Sequence, residues 1–273
     1  MKVVLFCGGS GMRLRGYSDD VPKPMVTIGT RPILWHLMKY YAHFGHKDFI
    51  ICLGYKGNVI KDYFLHYDES VSNDFVWSQG GRNVKFLNRD IDDWTITFVE
   101  TGANANIGQR FRAIEPYVRG EEVFLANYGD GLSDVQLPAM IDTFERSGAI
   151  ASLLLVQPPG SFDIVHTGVE GMVKEICPLT STDMWINGGF FVMRNEVFSH
   201  IEQGEELVRE PFQRLIDKQA LLAYKYSGFW QCMDTFKDKQ RLEELNVSTA
   251  PWKVWNRNTN GHSNRLELVA AGL

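Results

Sequence analysis

Three short stretches of the chain carry residues whose types and spacing suit chemistry on a phosphate. The first follows the apolar run "VVLFC" and reads "GGSGMRLRGYSDDVPKP". Gly8, Gly9 and Gly11 let backbone N–H groups turn onto an anion. Arg13 adds a planar donor fork that matches phosphate oxygens. Lys23 adds a compact charge, and Pro22 and Pro24 restrict the backbone on either side, so less entropy is lost in aiming it. The second stretch, "YGDG", places Gly129 and Asp130 at the end of an apolar run; the third, "GFWQCMDT", places Asp234 just ahead of a helical pattern. Two carboxylates converging beside an anion loop suit a shared Mg2+, which binds few protein oxygens and takes the rest from phosphates and water. Each stretch also has an ordinary reading: a surface turn with solvated cations, a turn aspartate, and a cap on the helix beginning at Thr235.

Two common phosphate-binding devices are absent. No GxxxxGK followed by Ser or Thr occurs, which weakens a Walker-type ATPase or kinase. In the dinucleotide pattern GxGxxG, Gly9 and Gly11 fit but Leu14 holds the third position, and "GYKG" after the second strand offers no acid for a ribose hydroxyl.

The elements that must position these residues follow an α/β rhythm. "VVLFC" and "DFIICLGY" read as strands buried on both faces. Between them a helix begins with Pro32 at its first position, buries Ile33, Leu34, Leu37, Met38 and Tyr41, and stops at Gly45. "GNVIKDYFLHY" is the next helix. Residues 68–93 read as an irregular, polar excursion. "WTITFVET", "EEVFLANYGDG", "AIASLLLVQPP", "MVKEI", "MWINGGFFVMR" and "LLAYKYSGFWQCMD" follow as strands, interleaved with the helices "IGQRFRAIEPYV", "VQLPAMIDTFERSG", "EPFQRLIDKQ" and "TFKDKQRLEELN". We expect one domain over residues 1–255, with a polar tail at 256–273.

Bulk properties narrow the class further. A 273-residue chain that is 44% hydrophobic and 22% charged has the composition of an ordinary globular protein. Its net charge of −5 argues against a nucleic-acid partner, so an anionic ligand must be drawn in by local cations. Cys7, Cys52, Cys177 and Cys232 are scattered singly, which suits a reducing cytoplasm. No apolar run is long enough for a membrane span.

With these residues in view, the chain resembles the sugar-phosphate nucleotidyltransferases from residue 3 to about Trp255. The resemblance rests on "GGSGMRLR", "VPKPMVTIG", "PILWHLMKYYAHFGHKDFIICLGYKG", "YGDGLSDV", "VQPPG", "WINGGFFV", "GFWQCMDT" and "APWKVW". The stretches "PILWHLMKYYAHFG", "WINGGFF" and "APWKVW" look like the cytidylyl branch. It implies a Rossmann-like, mostly parallel mixed sheet flanked by helices, of the glycosyltransferase-A-like kind, and a homo-oligomer. It implies transfer of CMP from CTP to a phosphorylated small-molecule acceptor, with Mg2+. Gly8, Gly9, Gly11 and Gly129 would hold the nucleotide, Arg13 the departing pyrophosphate and Lys23 the α-phosphate, with Asp130 and Asp234 on the metal. Asn187 and Gly188 would face the acceptor.

The sequence departs from the family on the acceptor side. The usual Phe-x-Glu-Lys-Pro after the "VK" strand is replaced by "MVKEICPLTSTD", and the Arg-Phe-Gly after "QPPG" by "SFDIVHTG", with Ser161 and Asp163. Gln109 replaces a glycine of a Gly-Gly-Arg turn, and Met12 a common Thr. Lys174 and His166 are the nearest replacement cations. The expectation is an active cytidylyltransferase whose acceptor is not ordinary glucose 1-phosphate; the alternative is a catalytically silent nucleotide-binding regulatory or scaffold homologue.

Overall fold

The computed structural model describes residues 1–9, 21–158 and 163–256. In chain order the elements are β1 (Val3–Phe6), β2 (Thr27–Ile28), β3 (Arg31–Pro32), α1 (Ile33–His43), β4 (Asp48–Leu53), α2 (Gly57–Leu65), β5 (Phe75–Ser78), β6 (Asn83–Phe86), β7 (Thr95–Glu100) and α3 (Ile107–Val118). There follow β8 (Val123–Asn127), β9 (Gly131–Ser133), α4 (Leu137–Ser147), β10 (Ala151–Val156), β11 (Asp163–Thr167), β12 (Val173–Pro178), β13 (Ile186–Arg194), α5 (Glu210–Asp217), β14 (Leu221–Tyr226), β15 (Trp230–Cys232) and α6 (Phe236–Val247).

Seven strands form the central sheet in the order β14-β10-β13-β8-β1-β4-β7. Only β13 runs against its neighbours, pairing antiparallel with β8 and β10. The expected mostly parallel mixed sheet is therefore the one observed. Apolar side chains leave β1 on both faces. Val3 and Leu5 join Leu37, Tyr40 and Phe144 on one side; Val4 and Phe6 join Phe111, Phe198 and Phe212 on the other. That double burial is why the strand reads as a continuous apolar run, and each such side chain contributes about 1.5–3 kcal/mol.

Several local expectations are corrected. Pro32 is not the first helical residue: it is extended, ends β3 and stands as the N-cap of α1, which begins at Ile33. Gly45, at φ +87°, ends that helix as expected. The segment 68–93 holds a two-stranded ribbon, β5–β6, and the run "DIVHT" supplies β11, which pairs with β12 in a second ribbon. "LLAYKYSGFWQC" divides into β14 in the main sheet and β15, which pairs with β9. No helix among the described residues is long and apolar enough to cross a membrane.

His36 shows how the C-terminal segment is fastened to α1. Its Nε2 lies 2.9 Å from the Ile28 carbonyl oxygen, and Trp252 donates its indole N–H to Nδ1 at 3.3 Å. The ring is therefore neutral, with its proton on Nε2, and burial pushes its pKa down to about 4. An unfolded histidine titrates near 6.5. Below that pH the unfolded chain gains a proton that folded His36 refuses, so its contribution is complete above about 6.5 and is lost as pH falls toward 4. The expected loss is up to about 3 kcal/mol. His46, half-buried and also lowered to about 4, acts in the same direction. Urea unfolding at pH 7.5 and pH 5 should show wild-type stability falling with acid, and His36→Asn, less stable at pH 7.5, should lose part of that slope.

Candidate active site

Asp130 and Asp234 lie far apart in sequence and are brought together by a small ribbon. Asp130 directly precedes β9, Asp234 follows β15 by one residue, and the two strands pair antiparallel with Gly131 opposite Cys232. The Met233 N–H then donates to the Asp130 carbonyl at 3.0 Å, which sets the two aspartates side by side. The turn before Asp130 presses on the end of β1. Gly129 has φ +80°, and a Cβ there would lie 2.9 Å from the Phe6 carbonyl oxygen and 3.3 Å from Cys7 Sγ. Only glycine fits, and its N–H is taken by Asn127 Oδ1 at 3.0 Å.

Lys23 reaches the same point from a third direction. Lys23–Met25 form a single 3-10 turn, with the Met25 N–H bonded to the Pro22 carbonyl at 2.8 Å. The Lys23 ammonium donates to Asp130 Oδ2 at 2.5 Å and to Asp234 Oδ1. Burial pulls the ammonium's pKa down, but the charge and hydrogen bond of Asp130, joined by those of Asp234, outweigh it and hold it above the usual lysine value. Asp130 is pushed up, first by burial and then by Asp234, with Lys23 opposing. The cluster thus holds one cation and two carboxylates, a net charge of −1 when all are ionised. Asp234 is not spent on capping. Thr235 caps α6 instead, accepting from the Asp238 N–H at 3.2 Å while Asp238 Oδ2 accepts from the Thr235 N–H at 2.7 Å. Beside the cluster, burial and the two aspartates push the Cys232 thiol up to about 12.

Such a pair of carboxylates suits a small hard dication that completes its shell with phosphate and water oxygens. Among the described residues no third His, Cys, Asp or Glu joins them, so an all-protein cage is not what the site offers.

The glycine loop is supported by a residue that pattern reading missed. Arg110, 2% exposed, donates to the carbonyls of Leu53 at 3.1 Å and Gly8 at 3.0 Å, and to Thr101 Oγ1 at 2.7 Å. No carboxylate pairs with it among the described residues, and burial lowers its pKa. Its guanidinium ties the ends of β1, β4 and β7 together at Gly8, and a Cβ on Gly8 would collide with it at 2.0 Å. The signal was an arginine inside an otherwise amphipathic helix pattern. The odd Gln109 also finds its reason: it forms a capping box with Asn106, each accepting the other's N–H, at 2.8 and 2.9 Å. Gly9 is described and exposed; Gly11 and Arg13 lie outside the described residues.

On the acceptor side the expected residues separate. Asn187 donates to the Tyr128 hydroxyl at 3.0 Å and accepts from the Gly189 N–H at 2.9 Å, while the Gly188 carbonyl accepts from the Trp230 indole at 2.8 Å. These residues sit at the edge of the sheet where Asp130 follows β8, on a strand two places from β1. Lys174 and His166 do not join them. Both are exposed on the β11–β12 ribbon near its turn, with Lys174 lying over Gly168 and His166 opposite Glu175.

Comparison with known proteins gives this geometry its context. The sequence model of the Nucleotidyl transferase family matches residues 2–238, and the chain belongs to that family. It is 40% identical over 258 residues to glucose-1-phosphate cytidylyltransferase of Salmonella typhimurium, covering 93% of this chain and 100% of that one. It is 38% identical, with the same coverage, to a probable glucose-1-phosphate cytidylyltransferase of Bacillus subtilis. A putative glucose-1-phosphate thymidylyltransferase from Bacillus anthracis shares the fold, with a TM-score of 0.65 and 18% identity, covering 91% of this chain and 96% of that one. The protein is thus a nucleotidyltransferase, and within the family it is similar to cytidylyltransferases along nearly its whole length.

Arg110→Met would remove the charged donor shared by the Gly8 and Leu53 carbonyls and the Thr101 hydroxyl. Gly8 keeps the Tyr55 N–H, and Leu53 keeps the Thr101 N–H and hydroxyl. The cost is therefore that of lost hydrogen bonds to a charged group, about 1.5–3 kcal/mol each, partly offset because a buried charge goes with them. We expect a net loss of about 2–4 kcal/mol in urea unfolding, with Arg110→Lys recovering less than half because an ammonium cannot span the same fork. Unchanged stability in Arg110→Met would contradict this account of the loop.

Proposed function

We propose that this enzyme transfers CMP from CTP to a phosphorylated small-molecule acceptor in the cytoplasm, working with Mg2+ and as a homo-oligomer. The observation that carries the reading is the meeting of Lys23 with both Asp130 and Asp234 at the edge of the sheet. The full-length similarity to cytidylyltransferases supports cytosine as the base, and the free cysteines suit a reducing compartment.

An acceptor phosphate oxygen attacks the α-phosphorus of CTP; the new P–O bond forms as the bond to the β-phosphate oxygen breaks, and pyrophosphate leaves with its electron pair. A phosphate oxyanion is already deprotonated, so the protein need not supply a general base. Its work is to position two anions and to screen the charge that builds at phosphorus. Lys23 does this at the α-phosphate, the glycine loop carrying Gly8 and Gly9 presents backbone donors, and Arg13 receives the pyrophosphate. Mg2+ held by Asp130 and Asp234 supplies further positive charge at the phosphates. Asn187, fixed by Tyr128, borders the acceptor.

We also propose that the acceptor differs from glucose 1-phosphate: another sugar phosphate, or a non-sugar phosphate or phosphonate. The segment that carries a Glu-Lys pair in the resembling family here includes the exposed β12 strand, and the exposure of Lys174 and His166 on the β11–β12 ribbon supports a different acceptor. The same loss favours a second reading, a silent nucleotide-binding homologue.

Initial rates of pyrophosphate release with CTP, Mg2+ and a panel of phosphorylated acceptors separate these readings. Release with an acceptor other than glucose 1-phosphate is expected; glucose 1-phosphate as the clearly best substrate would sink the acceptor proposal, and CTP binding without release from any acceptor would leave the silent homologue. Lys23→Met is expected to lower kcat by ~10²–10³ with the fold retained, as for other preorganised donors, read by single-turnover kinetics beside a thermal melt.

A further inference from the structure

The strand that carries Asn187 leaves its regular ladder at the edge where the two aspartates lie. Between β10 and β13 the register shifts: Leu153 pairs with Phe191, but Leu155 pairs with Asn187. The bulge falls at Gly188 and Gly189, and Gly189 takes φ +76°. A bulge of this kind re-aims the side chain beside it, here Asn187.

Two aromatic residues hold that bulge, and each belongs to a segment that leads to one aspartate. Tyr128 stands just ahead of Gly129 and Asp130. Its N–H donates to the Gly189 carbonyl at 3.2 Å, and its hydroxyl accepts from the Asn187 amide at 3.0 Å. Trp230 opens β15, the strand that runs on to Asp234, and its indole N–H donates to the Gly188 carbonyl at 2.8 Å. Gly131, next to Asp130, lies against this bond: a Cβ built there would be 3.5 Å from Trp230 Nε1 and 3.8 Å from the Gly188 oxygen. One indole therefore touches the Asn187 turn, the Asp130 segment and the Asp234 ribbon together.

The two anchors differ in what they add. Tyr128 continues β8, which already pairs with β13 in the sheet. Trp230 comes from outside that sheet, since β15 pairs with β9. Among the described residues, its indole makes the one side-chain hydrogen bond between β15 and β13. The indole is itself firmly placed. Neighbouring Phe229 donates its N–H to Asp134 Oδ1 at 2.9 Å, and its carbonyl accepts from the Ser133 hydroxyl at 2.8 Å.

We propose that Trp230 is a positioning residue for the transfer: its N–H sets the separation between the acceptor turn at Asn187 and the acids at Asp130 and Asp234. This rests on the CMP-transfer reading above. In that reaction an acceptor oxygen must lie in line with a phosphorus held at the aspartates, and a misplacement of about 1 Å can cost ~10² in rate. Trp230 fixes that distance through the Gly188 carbonyl and takes no part in the bonds that form or break.

Single-turnover rates with CTP, Mg2+ and the best acceptor of the panel test it, with CTP KM and Mg2+ half-saturation measured beside them. Trp230→Phe keeps an aromatic ring and removes the donor. It should slow the chemical step roughly 10–100-fold, while CTP KM and Mg2+ half-saturation stay within about twofold. Phe229→Leu controls for mere loosening, because Phe229 packs on Trp252 at 5.8 Å and has no part in the Gly188 bond. It should lower the melting temperature at least as far as Trp230→Phe does, and cost less than about twofold in rate. An unchanged rate in Trp230→Phe, a fall matched by Phe229→Leu, or a parallel rise in Mg2+ half-saturation overturns the positioning role and leaves CMP transfer in place. A wild type that releases no pyrophosphate with any acceptor overturns both.

Discussion

The site depends on one ammonium shared by two carboxylates. Lys23, Asp130 and Asp234 come from three separate parts of the chain, and each is delivered by a different device: a proline-bounded turn, a glycine that fits only against the end of β1, and a ribbon whose last residues tie back to the Asp130 carbonyl. Holding two acids this close costs free energy unless a cation sits between them, and the lysine provides that cation. The rest of the fold can be understood as what keeps these three backbones in register. Arg110 ties the ends of three parallel strands to one another, and Thr235 with Asp238 caps α6, so Asp234 is left to face the lysine.

Much of this was legible from residue types. The apolar runs at β1 and β4 read as strands buried on both faces, that at β8 as a strand ending in an acidic turn, and "GFWQCMDT" announced a second turn that carries an acid. What periodicity could not convey was contact across the chain. The pairing of β9 with β15 involves three residues a side, too few to pattern, yet it sets the distance between the aspartates. Periodicity gives Arg110 no special place in its helix, because its main partners are backbone carbonyls, which have no sequence identity. The same holds for His36, whose neutral state is fixed by a carbonyl and an indole from opposite ends of the chain.

The two sides of the catalytic edge differ in how they are built. On the side proposed for the nucleotide, Gly129 is held against the Phe6 carbonyl and Gly8 against the Arg110 guanidinium, and neither place has room for a Cβ. On the acceptor side the glycines have a packing cause: a Cβ on Gly189 would strike Tyr128 at 2.6 Å, and one on Gly188 would crowd Leu154 and Val156 at 3.2 Å. Asn187 is pinned by the same tyrosine. Beyond it the chain leaves the sheet for the exposed β11–β12 ribbon, whose charged residues face solvent.

Electrostatics explains why the braced half must be so well braced. A chain with a net charge of −5 repels a triphosphate at long range, and the Lys23 cluster is itself net −1. Neither fact suits anion binding alone. On the proposed reading the imbalance is useful: carboxylates held together by a lysine are poised to share a dication, and with +2 added the same cluster becomes net positive where the phosphates lie. Lys23 then has less carboxylate charge to neutralise and more phosphate charge to meet. A cluster assembled only for stability would gain more from apolar side chains of similar size. Its persistence at the open edge of the sheet, supported by glycines that admit no side chain, argues for a site arranged around charge that arrives with the substrate.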